Sequence, residues 1–132
     1  MALQFKSKRR MKCIHGQVTV AQVKAGVVIL PPESGRTITV WDGWLRSDGN
    51  ASGATSVDVA DTAGTAIVAF KMAVGGLTAG TVARVGVATH YTGTTVGDPL
   101  TPGKGLKIVD AAANSLATTT VLDYCIMYTV ES

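Results

Sequence analysis

The sequence predicts an all-β protein, an antiparallel β-sandwich or jelly roll of about eight strands with an extended basic N-terminal arm. Three observations support this fold class. Apolar and polar residues alternate along most of the chain, whereas the 3.6-residue period of a helix is weak. The 15 glycines, together with Asp and Thr, gather in turns between the alternating segments. Aromatic residues make up only 5% of the chain, so Val, Ala, Ile, Leu and Thr must fill the core.

Each predicted strand follows from local alternation or from a short apolar run. The predicted strands cover residues 16–23, 27–30, 36–46, 57–59, 66–70, 82–91, 106–108 and 121–130. In the last of these, Leu122, Tyr124, Ile126 and Tyr128 fall on one face, which we expect to be the core face. A short helical turn fits within residues 71–80. Residues 111–118 fit either a similar turn or a loop, and Asn114 and the Thr run favour the loop.

Basic residues are concentrated at the start of the chain. Five of the 12 lie within seven positions and without an acid among them: Lys6, Lys8, Arg9, Arg10 and Lys12. We therefore expect a basic arm over residues 1–15 and a single sandwich domain over residues 16–132. The arm is either a solvated terminus or a docking segment, in which Leu3 and Phe5 anchor on a partner and the basic residues set register.

Neither a membrane span nor an export signal is apparent. No apolar run approaches the roughly 18 residues that a transmembrane helix needs. The start of the chain has charges where a signal peptide has its apolar stretch, so we expect synthesis in a cytoplasm. In that compartment a disulfide between Cys13 and Cys125 is disfavoured, and two buried thiols are expected.

The stretch TPGKGLKIVD, residues 101–110, raises the question of nucleotide binding. A phosphate-binding loop needs Gly, four residues, then Gly-Lys followed by Ser or Thr. Here five residues separate Gly97 from Gly103, and Lys104 is followed by Gly105. We expect Gly103 and Gly105 to adopt positive φ in a turn that precedes an edge strand, with no nucleotide bound.

Other chemistry-bearing residues do not form a recognisable motif. Cys13, His15, His90 and Cys125 are the soft metal ligands, but Cys-x-His is not a usual structural pair. The residues SDGNASG lack the ligand spacing and terminal Glu of a calcium loop, and no Ser lies in a nucleophile elbow. We therefore expect no enzyme activity, no metal and no cofactor.

Trp41 and Trp44 are the second feature that suggests binding. Regular alternation would place Trp44 and Asp42 on the core face together with Ile38 and Val40. A bulge at Asp42–Gly43 would instead turn Leu45 inward and place both indoles on the outer face. Exposed indoles would mark a subunit interface or a sugar-stacking surface, and the alternative is that at least one of them belongs to the core.

Three segments carry a resemblance to a known group of proteins. TITVWDGWLRSDGNASGATSVDVADTAGTAI, PLTPGKGLKI and VLDYCIMYTV resemble small structural proteins of tailed bacteriophages, over about residues 36 to 130. The resemblance implies a non-enzymatic β-sandwich that decorates or cements the capsid in the virion, after assembly in the host cytoplasm. It implies the major capsid protein as partner, and often a homotrimer.

Two other functions remain open from the sequence. The first is a glycan-binding module of a tail or fibre, which would use Trp41 and Trp44. The second is a small coat subunit whose basic arm contacts nucleic acid. Few aromatic residues accompany the arm, which disfavours base stacking.

Overall fold

A computed structural model describes residues 10–51, 56–87, 91–93, 95–111, 116 and 119–132. Within these residues the chain forms nine strands, one short α-helix and one 3-10 turn. The strands are β1 (Lys12–Thr19), β2 (Val27–Leu30), β3 (Thr37–Ser47), β4 (Ser56–Asp61), β5 (Val68–Ala73), β6 (Val82–Arg84), β7 (Tyr91–Gly93), β8 (Leu106–Asp110) and β9 (Val121–Glu131). The helix α1 covers Val20–Ala25 and the 3-10 turn covers Val74–Gly76.

The strands form two antiparallel sheets with a jelly-roll order. One sheet has the order β1-β9-β3-β6, and the other has the order β2-β8-β4-β5-β7. The pairs are nested, since β1 lies beside β9, β2 beside β8, β3 beside β6 and β4 beside β5. Such nesting arises when one long hairpin rolls up into two facing sheets. The predicted fold class is confirmed, and β7 is an additional strand at the edge next to β5.

The core lies between the two sheets and is built mainly from aliphatic side chains, as the composition predicted, with Phe70, Tyr124 and Tyr128 as its aromatic members. Phe70, Leu45, Met72, Leu106, Ile108 and Ile126 are among its largest fully buried members. Each contributes on the order of 1.5–3 kcal/mol relative to an exposed side chain. The predicted core face of the last strand is confirmed, because Leu122, Tyr124, Ile126 and Tyr128 are all buried.

The first predicted strand is wrong at both of its ends. Strand β1 begins at Lys12, so residues 12–15 pair with β9 and belong to the sandwich, not to the arm. Its continuation is α1 because Thr19 and Gln22 form a capping box. The Thr19 hydroxyl accepts the Gln22 N–H at 3.2 Å, and Gln22 Oε1 accepts the Thr19 N–H at 2.8 Å. Two helix N–H groups are thereby satisfied, which alternation alone does not anticipate.

The predicted strand at residues 82–91 is also wrong. Strand β6 ends at Arg84, and Gly86 then takes a φ of 91°, which L side chains rarely adopt. Residues 88–90 lie outside the described residues, and β7 begins at Tyr91. The helical turn expected within residues 71–80 is present as the 3-10 turn. Most of the loop predicted at 111–118 lies outside the described residues, although Leu116 is buried.

The GKG turn begins strand β8, as predicted, but that strand is not at an edge. Strand β8 lies between β2 and β4. Gly103 has the expected positive φ, at 80°. Gly105 serves a different purpose, because a Cβ there would lie only 1.9 Å from the Leu30 carbonyl oxygen. Close backbone approach, and not positive φ, therefore requires glycine at position 105.

Candidate partner-binding surfaces

The solvent side of the four-stranded sheet, here called the outer face, is the first candidate surface. The register of β1, β9, β3 and β6 places side chains in rows across it. One row is His15, Cys125, Trp44 and Arg84, and the next is Gln17, Asp123, Arg46 and Val82. Their strand neighbours point into the core, so these side chains lie on the solvent side of the sheet, where all except Cys125 are at least partly exposed.

The two tryptophans lie outside the core because β3 contains a bulge. The register with β9 slips between Val40 and Asp42, which leaves Trp41 as the extra residue. The bulge is therefore one position earlier than predicted, but its consequence is the predicted one. Leu45 is fully buried, Trp41 is 41% exposed and Trp44 is half-buried. The alternative that one indole belongs to the core is wrong.

Local contacts fix the orientation of Trp41. Its indole N–H donates to the Thr129 hydroxyl at 2.9 Å. Its ring edge also passes Gly97, where a Cβ would lie 3.5 Å from the indole. An aromatic side chain that is held in one rotamer and still 41% exposed loses little entropy on binding a partner.

The charges of the outer face neutralise one another. Arg46 Nη2 lies 2.6 Å from Asp123 Oδ2, and Gln17 Nε2 donates to Asp123 Oδ1 at 2.9 Å. The hydrogen bonds from Arg46 and then from Gln17 hold the pKa of Asp123 below its ordinary value. A longer pair joins Arg84 Nη2 and Asp42 Oδ2 at 3.6 Å. Such exposed pairs add only about 0–1 kcal/mol each to stability, but they leave this part of the face without net charge.

The two cysteines meet on the same face. Cys13 on β1 and Cys125 on β9 place their Sγ atoms 2.8 Å apart. Cys125 is buried, but Cys13 is exposed, so the expectation of two buried thiols is wrong for Cys13. Burial, followed by the hydrogen bond with Cys13, raises the pKa of Cys125 to about 11.

The proximity of the two sulfur atoms does not by itself support a metal site. His15 lies opposite Cys125 in the register, whereas His90 lies outside the described residues. In the part of the chain that the structure describes, no three His, Cys, Asp or Glu side chains are arranged to hold a metal ion. The carboxylate of Asp48, in the calcium-like SDGNASG segment, accepts hydrogen bonds from Thr120 and Val121 and so fixes the start of β9.

A small cavity of about 100 Å³ at the end of the sandwich where β1 begins, here called the basic groove, is the second candidate surface. Lys12, Arg36 and Lys104 line it together with one acid, Glu33. Arg36 Nε lies 3.2 Å from Glu33 Oε2, which leaves an excess of positive charge. Apolar side chains complete the lining: Leu30, Pro31, Ile38, Tyr128 and Val130.

The predicted site residues are divided between these two surfaces. Trp41 and Trp44 belong to the outer face, and Lys12 lines the basic groove. Arg10 is exposed and precedes β1. Leu3, Phe5, Lys6, Lys8 and Arg9 lie outside the described residues. Arg36 carries no local sequence signal of a binding role, and the residues around Lys104 suggest only the question of phosphate binding.

No known protein-family model and no curated protein sequence matches the chain. Among the described residues, no helix combines the length and the apolar character that crossing a membrane requires.

Proposed function

We propose that this protein is a structural subunit of a virus particle, which decorates or cements the capsid shell of a tailed phage through protein–protein contacts. The outer face is the observation that carries this proposal. It combines Trp41, Trp44, Met127, Arg46 and Arg84, and it contains no lysine among the described residues. Protein interfaces are enriched in Trp, Met and Arg and depleted in Lys.

The fold agrees with this proposal without deciding it. Jelly rolls build many viral capsid domains, but they also build lectins and cupins. Function must therefore be argued from the surface. The outer face carries paired charges and partly exposed indoles, which suits a protein contact.

The proposed partners are the major capsid protein and further copies of this chain, with a homotrimer favoured by the resemblance described above. The basic groove lies at the end of the sandwich where β1 begins, and Lys12, the last basic residue of the predicted arm, lines it. An acidic patch on a shell subunit would complement this end and guide association.

The experiment compares particles of the virus that encodes this chain with particles assembled without it. Mass spectrometry of the purified wild-type particles should detect the protein at a fixed ratio to the shell subunit. Its absence from those particles would contradict the proposal. Size-exclusion chromatography with light scattering tests the homotrimer separately.

Rebinding of purified protein to the deficient particles tests the outer face. Trp44→Ala should reduce the affinity by roughly tenfold or more, because buried interface tryptophans are frequent hot spots. Val28→Ala is the matched control, since Val28 is 52% exposed on the opposite sheet. If both variants bound equally well, the outer face would not be part of the interface.

Glycan binding is a second candidate, favoured by one observation. Trp44 borders an open groove of about 540 Å³ whose polar lining includes His15, Gln17, Arg46 and Asp123. An aromatic wall with a few polar groups is typical of small-ligand sites. Saturable quenching of tryptophan fluorescence by an oligosaccharide, lost in Trp44→Ala, would favour this function over the capsid role.

A further inference from the structure

We propose that Cys13 and Cys125 are a reversible redox pair, closed to an intramolecular disulfide by exchange with a small-molecule disulfide such as oxidised glutathione. The two cysteines lie on neighbouring antiparallel strands and on the same face. Cys13 is paired with Met127 and Cys125 with His15, so the cysteines are diagonal neighbours. This inference does not depend on the proposed function.

The geometry brings the sulfur atoms almost to bonding distance. Their separation is 2.8 Å, within about 0.8 Å of the length of a disulfide bond. The two strands are already held in register by the ladder that runs from Lys12–Tyr128 to Thr19–Val121. Closing the bond therefore requires the two sulfur atoms to approach by about a further 0.8 Å.

The unequal burial of the two thiols assigns their roles. Cys13 is exposed on β1, which is the edge strand of its sheet, so a soluble reagent reaches it first. Cys125 is buried on β9, between β1 and β3. Because burial raises the pKa of its thiol to about 11, Cys125 reacts poorly with reagents in solution. It reacts instead with the sulfur atom that is held beside it.

The exchange proceeds in two balanced steps. The Cys13 thiolate attacks one sulfur of oxidised glutathione, which forms a mixed disulfide and releases one glutathione thiolate. Cys125 then gives up its proton to solvent and attacks the Cys13 sulfur, which releases the second glutathione. The protein loses two protons and two electrons, and one oxidised glutathione takes them up to become two thiols.

The bond would fasten the edge strand to the middle of its sheet. In the described structure the pairing of β1 within the sheet is with β9. The disulfide would close a loop over a sequence separation of 112 residues, which constrains the unfolded chain strongly. We expect the midpoint of thermal unfolding to rise by roughly 5–15 °C on oxidation and to return on reduction.

The experiment incubates the full chain in glutathione buffers of increasing oxidising strength and records its intact mass. The wild type should lose two hydrogens and retain no adduct, and peptide mapping should link Cys13 to Cys125. Cys125→Ser should retain one glutathione at Cys13, and Cys13→Ser should react little. Cys125→Ala replaces Cys125→Ser if the buried hydroxyl prevents folding.

Three outcomes would overturn the redox pair. They are a persistent glutathione adduct on the wild type, two free thiols under fully oxidising conditions, and a dimer linked through Cys13. If the melting temperature did not change in protein shown to contain the Cys13–Cys125 disulfide, the proposed stabilisation of β1 by that bond would be wrong. None of these outcomes bears on attachment to a particle.

Discussion

Asp61 shows at the scale of one residue how a buried charge can organise loops. It is fully buried at the end of β4, and its carboxylate accepts four hydrogen bonds. Thr101 provides two of them, from its N–H at 3.1 Å and from its hydroxyl at 2.5 Å. The N–H groups of Ala63 and Ile67 provide the others, at 3.1 Å and 3.0 Å. One side chain thereby joins the turn after β4 to the GKG turn.

Asp61→Asn should lower the free energy of unfolding by about 2–4 kcal/mol, because its amide would direct N–H donors at the donors of Thr101. Asp98→Asn is the control, since Asp98 is exposed and should change stability by less than about 0.5 kcal/mol. Urea denaturation of the three proteins measures the difference. Similar midpoints for both variants would show that the hydrogen bonds of Asp61 contribute nothing net.

The same residue should shape acid unfolding. Burial raises the pKa of Asp61, but the hydrogen bonds from Thr101, Ile67 and Ala63 outweigh it, so the pKa lies below the ordinary 3.8. Its stabilisation is then complete above that value and is lost as the pH falls through the lower folded-state pKa. Asp61→Asn should therefore lose less stability than the wild type on acidification from pH 4, by up to about 1.4 kcal/mol per pH unit. If the stabilities of the wild type and of Asp61→Asn fell equally with pH, the lowered pKa of Asp61 would be contradicted.

At the scale of one element, the bulge in β3 decides which side chains are buried. Beyond Trp41, Gly43, Leu45 and Ser47 point inward, while Trp44 faces outward. Gly43 is needed because a Cβ there would lie 3.2 Å from the Phe70 ring and 3.0 Å from the Cys125 carbonyl oxygen. The outer face therefore depends on a register that is set by one extra residue.

Two single-residue deletions test this dependence. Deleting Trp41 removes the extra residue and preserves the pairing of Asp42 with Met127, so we expect a folded protein that is destabilised by about 1–3 kcal/mol. Deleting Gly43 shifts Trp44 into the inward position against Phe70 and should prevent folding. Circular dichroism and thermal unfolding distinguish them. An equal loss of stability in the two deletion variants would argue against the bulge.

At the scale of the whole molecule, one end of the sandwich carries three basic side chains in a single groove. Lys12, Arg36 and Lys104 line this basic groove, with Glu33 as its acid. On the outer face, by contrast, the arginines are paired with Asp42 and Asp123. An acidic surface would therefore be attracted to the groove more than to the outer face.

Removing residues 1–11 should leave the sandwich folded, because β1 begins at Lys12, but should weaken attachment to the particle. Arg9→Glu with Arg10→Glu should do the same by charge repulsion, and added salt should weaken the wild type gradually. Lys24→Glu with Lys107→Glu, which reverses two charges away from the arm, is the control. Undiminished occupancy of the truncated protein would identify the arm as a solvated tail.

The sequence by itself determined the features that depend on local pattern. Alternation from Leu122 to Tyr128 identified β9 and its core face, because successive strand residues must point to opposite sides. The clash between Asp42 and a core position raised a bulge with exposed indoles as one of two alternatives, and the structure has that bulge at Trp41. The spacing around Lys104 predicted a turn before a strand, and β8 follows it. Each of these conclusions needed only a few neighbouring residues.

Only the tertiary structure decided the features that depend on partners distant in sequence. Strand β1 begins at Lys12 because its residues pair from that point with β9, which lies more than a hundred residues later in the sequence. No local sequence pattern indicates that pairing. The same ladder brings Cys13 to Cys125, and the rolling of the sheets brings Lys12 and Arg36 to Lys104. Strand pairing is a long-range choice made by burial and hydrogen bonding across the whole chain, so the surfaces that it creates appear only in the folded molecule.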